Sequence, residues 1–441
     1  MASKYEKRIK GARPLPFLTR YLTGPADSLS PARIAEYQKA ALREVVTRAY
    51  KNSSFYQEKM NKAGIKPQDI SKVADLAKMP FTTKAELRGN PWALLACDKK
   101  DISLIHVSTG TTGGEQIYIM YTWKDLYLHD LAPEYPKLFD IDPGDICFNA
   151  LPHEMSSAGL SFHKVFIDGC QATAIPAGKG GAYSTPEKSI KLMQDLQPNV
   201  IMTTPSYSMT LAEVARESNL DPQSLPLKKM WLTGEGCSPA FRTRVEKIWG
   251  TKANFYYGSL EAGVIGIECD AHTGYHITQG HSLVEIVEPK TGEVLQPGEI
   301  GEIVVTSLLR FDTPLIRYRT QDLGYIDPDP CQCGISFPRL FMRGRAVDEV
   351  VVKGVNFSPF YLEEFLMRLP EVGNWYHFVV KEGNNESLKI RTELADGVKP
   401  TLELADKLAS KMEFSLGIPC EFEFVSKLPR PQSKTIRVVR Q

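Results

Sequence analysis

From Asp145 to Tyr256 short apolar segments alternate with helical patterns, and this alternation narrows the possible folds more than any other feature of the chain. Asp145–Leu151 and Ala172–Ile175 read as strands, followed by a helix over Pro186–Leu196. Strand Val200–Thr204, helix Ser208–Glu217, strand Lys229–Thr233, helix Arg242–Trp249 and strand Ala253–Tyr256 continue the series. Such an order predicts a parallel sheet with helices on its faces. The first hundred residues read as helical, with Ser30 capping Pro31–Tyr50 and a second capped start at Thr82–Arg88. Beyond Glu261 the strands Val284–Glu288, Gly301–Thr306, Ile316–Tyr318 and Leu323–Ile326 predict a small β-rich, barrel-like part. After Gly344-Arg345 come strand Glu349–Val352, helix Pro359–Arg368, strands Trp375–Lys381 and Leu388–Thr392, helix Leu402–Leu416 and a final strand Cys420–Val425. The expected architecture is α/β: a large N-terminal domain over residues 1–344 and a small mobile α+β domain over 345–441.

Composition excludes several partner classes. A net charge of +1 gives no drive toward nucleic acid or anionic membranes. No apolar run approaches the ~18 residues of a membrane span. The segment Met1–Arg13 is basic and polar, without the apolar stretch of a secretory signal. The sequence is therefore expected to be that of a cytoplasmic protein with no nucleic-acid or membrane partner. A homodimer is an open expectation.

Residues 108–114 read Ser-Thr-Gly-Thr-Thr-Gly-Gly, between one strand ending at Val107 and another beginning at Ile117. Glycines let successive N–H groups turn toward an anion, and the hydroxyls add donors, so this loop suits a phosphate chain. It lacks the spacing of a Walker loop. A plain Ser/Thr/Gly hairpin is the alternative.

Four further motifs follow in order: Thr233-Gly234-Glu235-Gly236, then Tyr256-Tyr257-Gly258-Ser259-Leu260-Glu261, then Arg317-Tyr318-Arg319-Thr320-Gln321-Asp322, then Gly344-Arg345 through Lys353-Gly354-Val355-Asn356. With Lys434 near the end, this series resembles the acyl-adenylate-forming (ANL) superfamily. Thr204-Pro205-Ser206-Tyr207 and the run Pro314–Thr320 make it most similar to the phenylacetate–coenzyme A ligase branch. The resemblance covers roughly residues 30–441.

It implies a reaction in which a carboxylate attacks the α-phosphate of ATP, pyrophosphate leaves, and a thiol or amine displaces AMP. Two anions must meet, so charge on the phosphoryl group has to be neutralised. By resemblance Ser108, Thr109, Gly110, Thr111, Thr112 and Gly113 wrap the outer phosphates. Gly234, Glu235, Gly236, Tyr257, Gly258 and Ser259 meet the adenine side, Asp322 accepts from the ribose hydroxyls, and Arg345 approaches ribose or phosphate. Glu261 is the Mg²⁺ ligand, a hard oxygen for a hard cation. A solvated turn glutamate, a core tyrosine at 257 and an Asx turn at 322 are the bland alternatives. Lys434 would bridge the acid and the α-phosphate during adenylation, a basic tail being its alternative. The small domain would then turn about Asp348 and bring Lys353, Gly354 and Asn356 to coenzyme A. His153, Ser156, Tyr207 and Gly258 would line a compact pocket for an aromatic acid such as phenylacetate, indoleacetate or a hydroxy- or aminobenzoate.

Cys269, His276, Cys331 and Cys333 form two short pairs that suit a closed tetrahedral zinc, with His272 or His281 as alternative nitrogen ligands. Some members of the resembled branch carry such a structural zinc. The sequence also departs from the pattern. Gly114 replaces the usual loop lysine, Leu260 stands where a hydroxyl residue precedes the Mg²⁺ glutamate, and Val347 replaces the first of two acidic hinge residues. The leading expectation is an ATP-dependent aryl acid–coenzyme A ligase using Mg²⁺. An adenylating amide synthetase and a degenerate nucleotide-binding scaffold are the alternatives.

Overall fold

A computed structural model describes residues 20–108, 115–131, 134–155, 157–345, 348–352, 355–381, 386–430, 435 and 437–441. The expectations for Thr109, Gly110, Thr111, Thr112, Gly113, Gly114, Ser156, Val347, Lys353, Gly354 and Lys434 lie outside the described residues. The chain divides into two compact bodies. The first comprises Met1–Gly178, Asn199–Met202 and Asn254–Met342, and the second Lys179–Pro198, Thr203–Ala253 and Arg343–Gln441.

In the first body, α1 (Pro31–Asn52) starts where Ser30 accepts the Arg33 amide, with Pro31 at the first helical position. Its apolar stripe (Tyr37, Ala41, Leu42, Val45, Val46, Ala49) is fully buried in one core with Ile303, Val305, Leu308, Phe311 and Ile316. α2 (Ser54–Lys62) follows. The expected start at Thr83 is a capping box, with the Glu86 side chain returning to the Thr83 amide. β1 (Ile102–Val107) and β2 (Tyr118–Thr122) pair antiparallel and lead into α3 (Trp123–Leu131). β3 (Ile146–Ala150), α4 (Ser157–Lys164), β4 (Thr173–Ile175) and β5 (Val200–Thr203) supply the parallel part, seen in the β3–β4 register.

β7 (Ala253–Ser259), β8 (Gly263–Glu268), β9 (Tyr275–Ile277), β10 (Ser282–Val287), β11 (Gly301–Ser307), β12 (Tyr318–Asp327) and β13 (Arg339–Arg345) supply the antiparallel part. Their order is β10-β11-β12-β13-β9-β8-β7, so the β-rich stretch runs on in hydrogen-bonded sequence from β7. One strand, β12, begins at Tyr318 and takes in the expected Leu323–Ile326, while Ile316 and Arg317 lie outside it. It absorbs an irregularity near Thr320-Gln321, where Gln321 has φ 68°. β7 likewise continues three residues past the expected Tyr256.

In the second body, α5 (Pro186–Leu196) occupies the expected residues. α6 (Pro205–Glu217) begins earlier than expected because Thr204 caps it and proline opens it, so Pro205-Ser206-Tyr207 is a helical turn. β6 (Lys229–Leu232) precedes α7 (Pro239–Trp249), which also starts early, at a Ser238 cap followed by proline. The hairpin β14 (Val350–Val352) and β15 (Val355–Phe357) leads to α8 (Pro359–Met367). β16 (Val372–Lys381), β17 (Ser387–Leu394), α9 (Leu402–Leu416) and β18 (Cys420–Phe424) follow. β18 is not the last strand: β19 (Val438–Arg440) pairs parallel with β16, giving the order β18-β17-β16-β19. Three residues between a charged tail and the chain end carry too little pattern to announce a strand.

Candidate active site

Ser108 and Ile117 are tied to each other at the ends of β1 and β2. The Ser108 amide donates to the Ile117 carbonyl, and the Ile117 amide returns to Ser108 Oγ, both at 2.9 Å. Ser108 therefore sets the loop's ends with its own hydroxyl.

β7 delivers the next motif. Gly258 lies against β8 so closely that a Cβ would stand 2.4 Å from the Gly263 carbonyl oxygen. Ser259 Oγ accepts the Ala262 amide at 3.1 Å and closes the turn. Both residues build the hairpin that presents Glu261. Glu261 is 7% exposed, and its carboxylate takes no hydrogen bond or ion pair among the described residues. Arg310, wholly buried, holds the turn from behind by donating from Nη1 to the Glu261 carbonyl at 2.5 Å and from Nη2 to Thr313 Oγ1 at 3.1 Å. Nothing in the sequence pattern singles out Arg310.

Tyr257 and Asp322 are brought together. The phenol donates to Asp322 Oδ2 at 2.6 Å, and the Asp322 amide donates to Thr320 Oγ1 at 3.1 Å. Burial, reinforced by the Asp322 charge, pushes the Tyr257 phenol well above its ordinary value, so it stays a donor. Asp322 sits inside β12, not in an Asx turn. The neighbouring arginines of that motif are ties of the fold. Arg317 grips Glu285 with two bonds of 3.1 Å and caps the Ala77 and Met79 carbonyls, while Arg319 pairs with Glu302.

His153 is half-buried, and its Nε2 is buried without a hydrogen-bond partner among the described residues. Burial lowers its pKa and keeps the ring neutral. The His163 ring lies 6.3 Å away, centroid to centroid.

In the second body Gly234 turns with φ 82° and places Glu235 in a saturated seat. The Glu235 carboxylate accepts from Lys179 Nζ (2.9 Å), Ser206 Oγ (2.9 Å), the Ser206 amide (3.3 Å) and Thr435 Oγ1 (3.5 Å). Burial alone would raise this carboxyl. The Lys179 charge and the Ser206 hydrogen bond, with Arg437 further off, overcome that and hold it below the usual range. Tyr207 is buried, and its hydroxyl accepts the Gly180 amide at 3.1 Å. The sequence pattern does not single out Lys179, which stands in the run Gly178-Lys179-Gly180-Gly181. Arg345 and Asp348 face each other at 4.0 Å, both partly exposed. Asn356 pairs with Val351 in the β14–β15 ladder.

The Cys/His cluster assembles as spaced. The ligand atoms of Cys269, His276, Cys331 and Cys333 lie within 4.8 Å of one another. Cys269 and Cys331 sulfurs are 3.7 Å apart, against about 3.8 Å for two thiolates on a tetrahedral zinc at ordinary bond lengths. Cys333 Sγ is 3.3 Å from His276 Nε2, and His276 Nδ1 faces the Phe337 carbonyl at 3.2 Å, which leaves Nε2 for a metal. His281 is taken by the Tyr135 hydroxyl (2.9 Å) and His272 lies against Glu268, so His276 is the nitrogen in the cluster.

The glycine-rich sequence at 108–114, Glu261 in the turn after β7 and the Tyr257–Asp322 pair fit an adenylate-forming type of enzyme. The sequence matches the AMP-binding enzyme family over residues 26–309 and the AMP-binding enzyme C-terminal domain over 354–441. It is 32% identical over 380 residues to the phenylacetate–coenzyme A ligase of Thermus thermophilus, covering 84% of this chain and 83% of that one. The phenylacetate–coenzyme A ligase of Escherichia coli K12 is 29% identical over 435 residues, covering 96% and 98%. A 2-hydroxyisobutyryl-CoA ligase, crystallised in its postadenylation state, superposes with a TM-score of 0.85 at 23% identity over 96% of this chain and 92% of that one, and shares the fold. The chain belongs to the AMP-binding enzyme family, in its phenylacetate–coenzyme A ligase branch. It is an ATP-dependent, AMP-forming acid–coenzyme A ligase. No helix among the described residues is long and apolar enough to cross a membrane.

Proposed function

We propose that the acid is a compact aromatic carboxylate and that the product is its coenzyme A thioester. Two relatives named for phenylacetate support the aromatic class. The neutral His153, whose Nε2 is buried with no hydrogen-bond partner among the described residues, supports a polar contact to the ring or its substituent. The adenylation step rests on one observation above all: Thr435, next in sequence to Lys434, hydrogen-bonds Glu235 of the nucleotide motif. In this reading the 108–113 loop holds the outer phosphates, Asp322 the ribose, Arg345 the ribose or phosphate, and Lys434 the α-phosphate. Glu261, whose carboxylate has no hydrogen-bond partner among the described residues, is completed by Mg²⁺, a hard cation that suits a hard carboxylate oxygen. Residues 345–441 act as a mobile domain that turns near Asp348 and brings Lys353, Gly354 and Asn356 to coenzyme A. Zinc in the Cys₃His cluster ties β8 and β9 to the segment before β13 as a closed structural site.

The test is pyrophosphate release from ATP with a panel of aryl acids, followed by assay for the thioester. Absence of acid-dependent release refutes the aromatic reading, and AMP without thioester in the presence of coenzyme A moves the acceptor to an amine. Lys434→Ala is expected to abolish release yet leave thioester formation from supplied acyl-adenylate. Elemental analysis is expected to find about one zinc per chain.

A further inference from the structure

Helices α7 and α8 cap each other. At the start of α7 the Ser238 amide donates to Glu363 Oε1 (2.6 Å) and the Ala240 amide to Glu364 Oε2 (2.7 Å), both carboxylates coming from α8. Free amides and the positive end of the helix dipole are thus met by negative charge. In the other direction Arg244 of α7 reaches the carbonyls at and beyond the end of α8. Its Nε donates to Met367 (2.8 Å), Nη2 to Leu369 (2.8 Å), and Nη1 to Val372 (2.8 Å), Gly373 (3.0 Å) and Asn374 Oδ1 (3.2 Å). Glu363 is nearly fully buried and also takes Arg437 Nε (3.0 Å) and the Tyr376 hydroxyl. A second clamp lies at Glu213, which accepts Trp375 Nε1 (2.5 Å) and Arg430 Nε (2.8 Å).

Apart from the Arg437 and Tyr376 contacts to Glu363, which lie within residues 343–441, these bonds join residues 203–253 to residues 343–441 inside the second body. The same seam holds Thr435 on Glu235. A planar guanidinium spread over fixed backbone carbonyls fits one orientation of its partner and cannot follow a rotation, unlike a flexible ion pair at a surface. We propose that Arg244, with Glu363 and Glu364, is a positioning latch that holds the C-terminal segment in its adenylating orientation. Its strength sets how the enzyme divides its time between adenylation and thioester formation. The inference rests on the proposed turning of residues 345–441. None of these Arg244 partners is a residue assigned to the nucleotide.

The test compares full-length wild type with Arg244→Ala and Arg244→Lys, the latter keeping the charge without the fan of donors. Hydrogen exchange at the Ser238 and Ala240 amides reads the latch directly. Exchange is expected to speed up about tenfold in Arg244→Ala and less in Arg244→Lys, while amides in the middle of α7 hold. With phenylacetate and ATP, single-turnover pyrophosphate release is expected to slow about tenfold in Arg244→Ala. Thioester formation from supplied phenylacetyl-adenylate and coenzyme A is expected to be unchanged or faster. Unchanged exchange, or equal losses in the two half-reactions, overturns the latch. A wild type that releases no pyrophosphate with phenylacetate or any other aryl acid refutes the aromatic-acid reading, and the exchange rates alone then decide the latch.

Discussion

Glu261 and Glu235 are both glutamates in signature motifs, yet their surroundings are opposite. Glu235 is ringed by Lys179, Ser206 and Thr435. Glu261 stands buried at a strand end with its carboxylate unmatched among the described residues and only its backbone carbonyl held, by Arg310. A saturated carboxylate has nothing left to offer a ligand and works by fixing the backbone around it. An open one keeps its oxygens for a ligand, which in the proposed function is Mg²⁺. Motif membership alone would have given both residues the same weight.

The largest expected effect separates them by activity. Glu261→Ala is expected to cut pyrophosphate release about a thousandfold, as the loss of charge stabilisation at a phosphoryl group does. The variant's denaturation midpoint stays close to wild type, because no described residue depends on that carboxylate. A midpoint that falls as far as the activity breaks the comparison.

The reverse pattern is expected at the other site. Lys179→Ala leaves the Glu235 charge buried without its cation and costs about 3 kcal/mol in a denaturant titration. An unchanged midpoint shows that the seat is not held by the ion pair. Acid sharpens the same point. The Glu235 carboxyl is held below its ordinary value in the folded state. Its contribution is therefore complete above the unfolded pKa and is lost as pH falls through the folded one. Between about pH 6 and about pH 3 wild type is expected to lose more stability than Glu235→Gln, and parallel curves dismiss the carboxylate as the cause.

The sequence made the two sites unequally legible for physical reasons. Strands and helices from Pro186 to Trp249 followed from periodicity, and their early starts at Pro205 and Pro239 came from cap residues that the apolar pattern does not register. The Cys₃His cluster was readable because sulfur and imidazole are chemically specific at short spacing. Lys179 and Arg310 were not readable. Each acts through a partner distant in the chain (Lys179 on Glu235, Arg310 on Glu261), and a single basic residue carries no period. Asp322 was readable as a motif, but its environment was not, since Tyr257 lies 65 residues away in the chain.

That pair yields the smallest expected effect. Tyr257 spends its proton on Asp322 Oδ2 at 2.6 Å, in a seat where burial keeps the phenol protonated. The bond fixes the rotation of the carboxylate, which in the proposed function meets a ribose hydroxyl. Tyr257→Phe removes one hydrogen bond and little volume, so KM for ATP is expected to rise about threefold with kcat nearly unchanged. Asp322→Asn removes the acceptor charge itself and is expected to raise KM further. If Tyr257→Phe instead lowers kcat and leaves KM alone, Tyr257 acts on the transition state and not by orienting Asp322. Glu261 would then share its role as an open catalytic group with a residue that the hydrogen-bond pattern places among the supports.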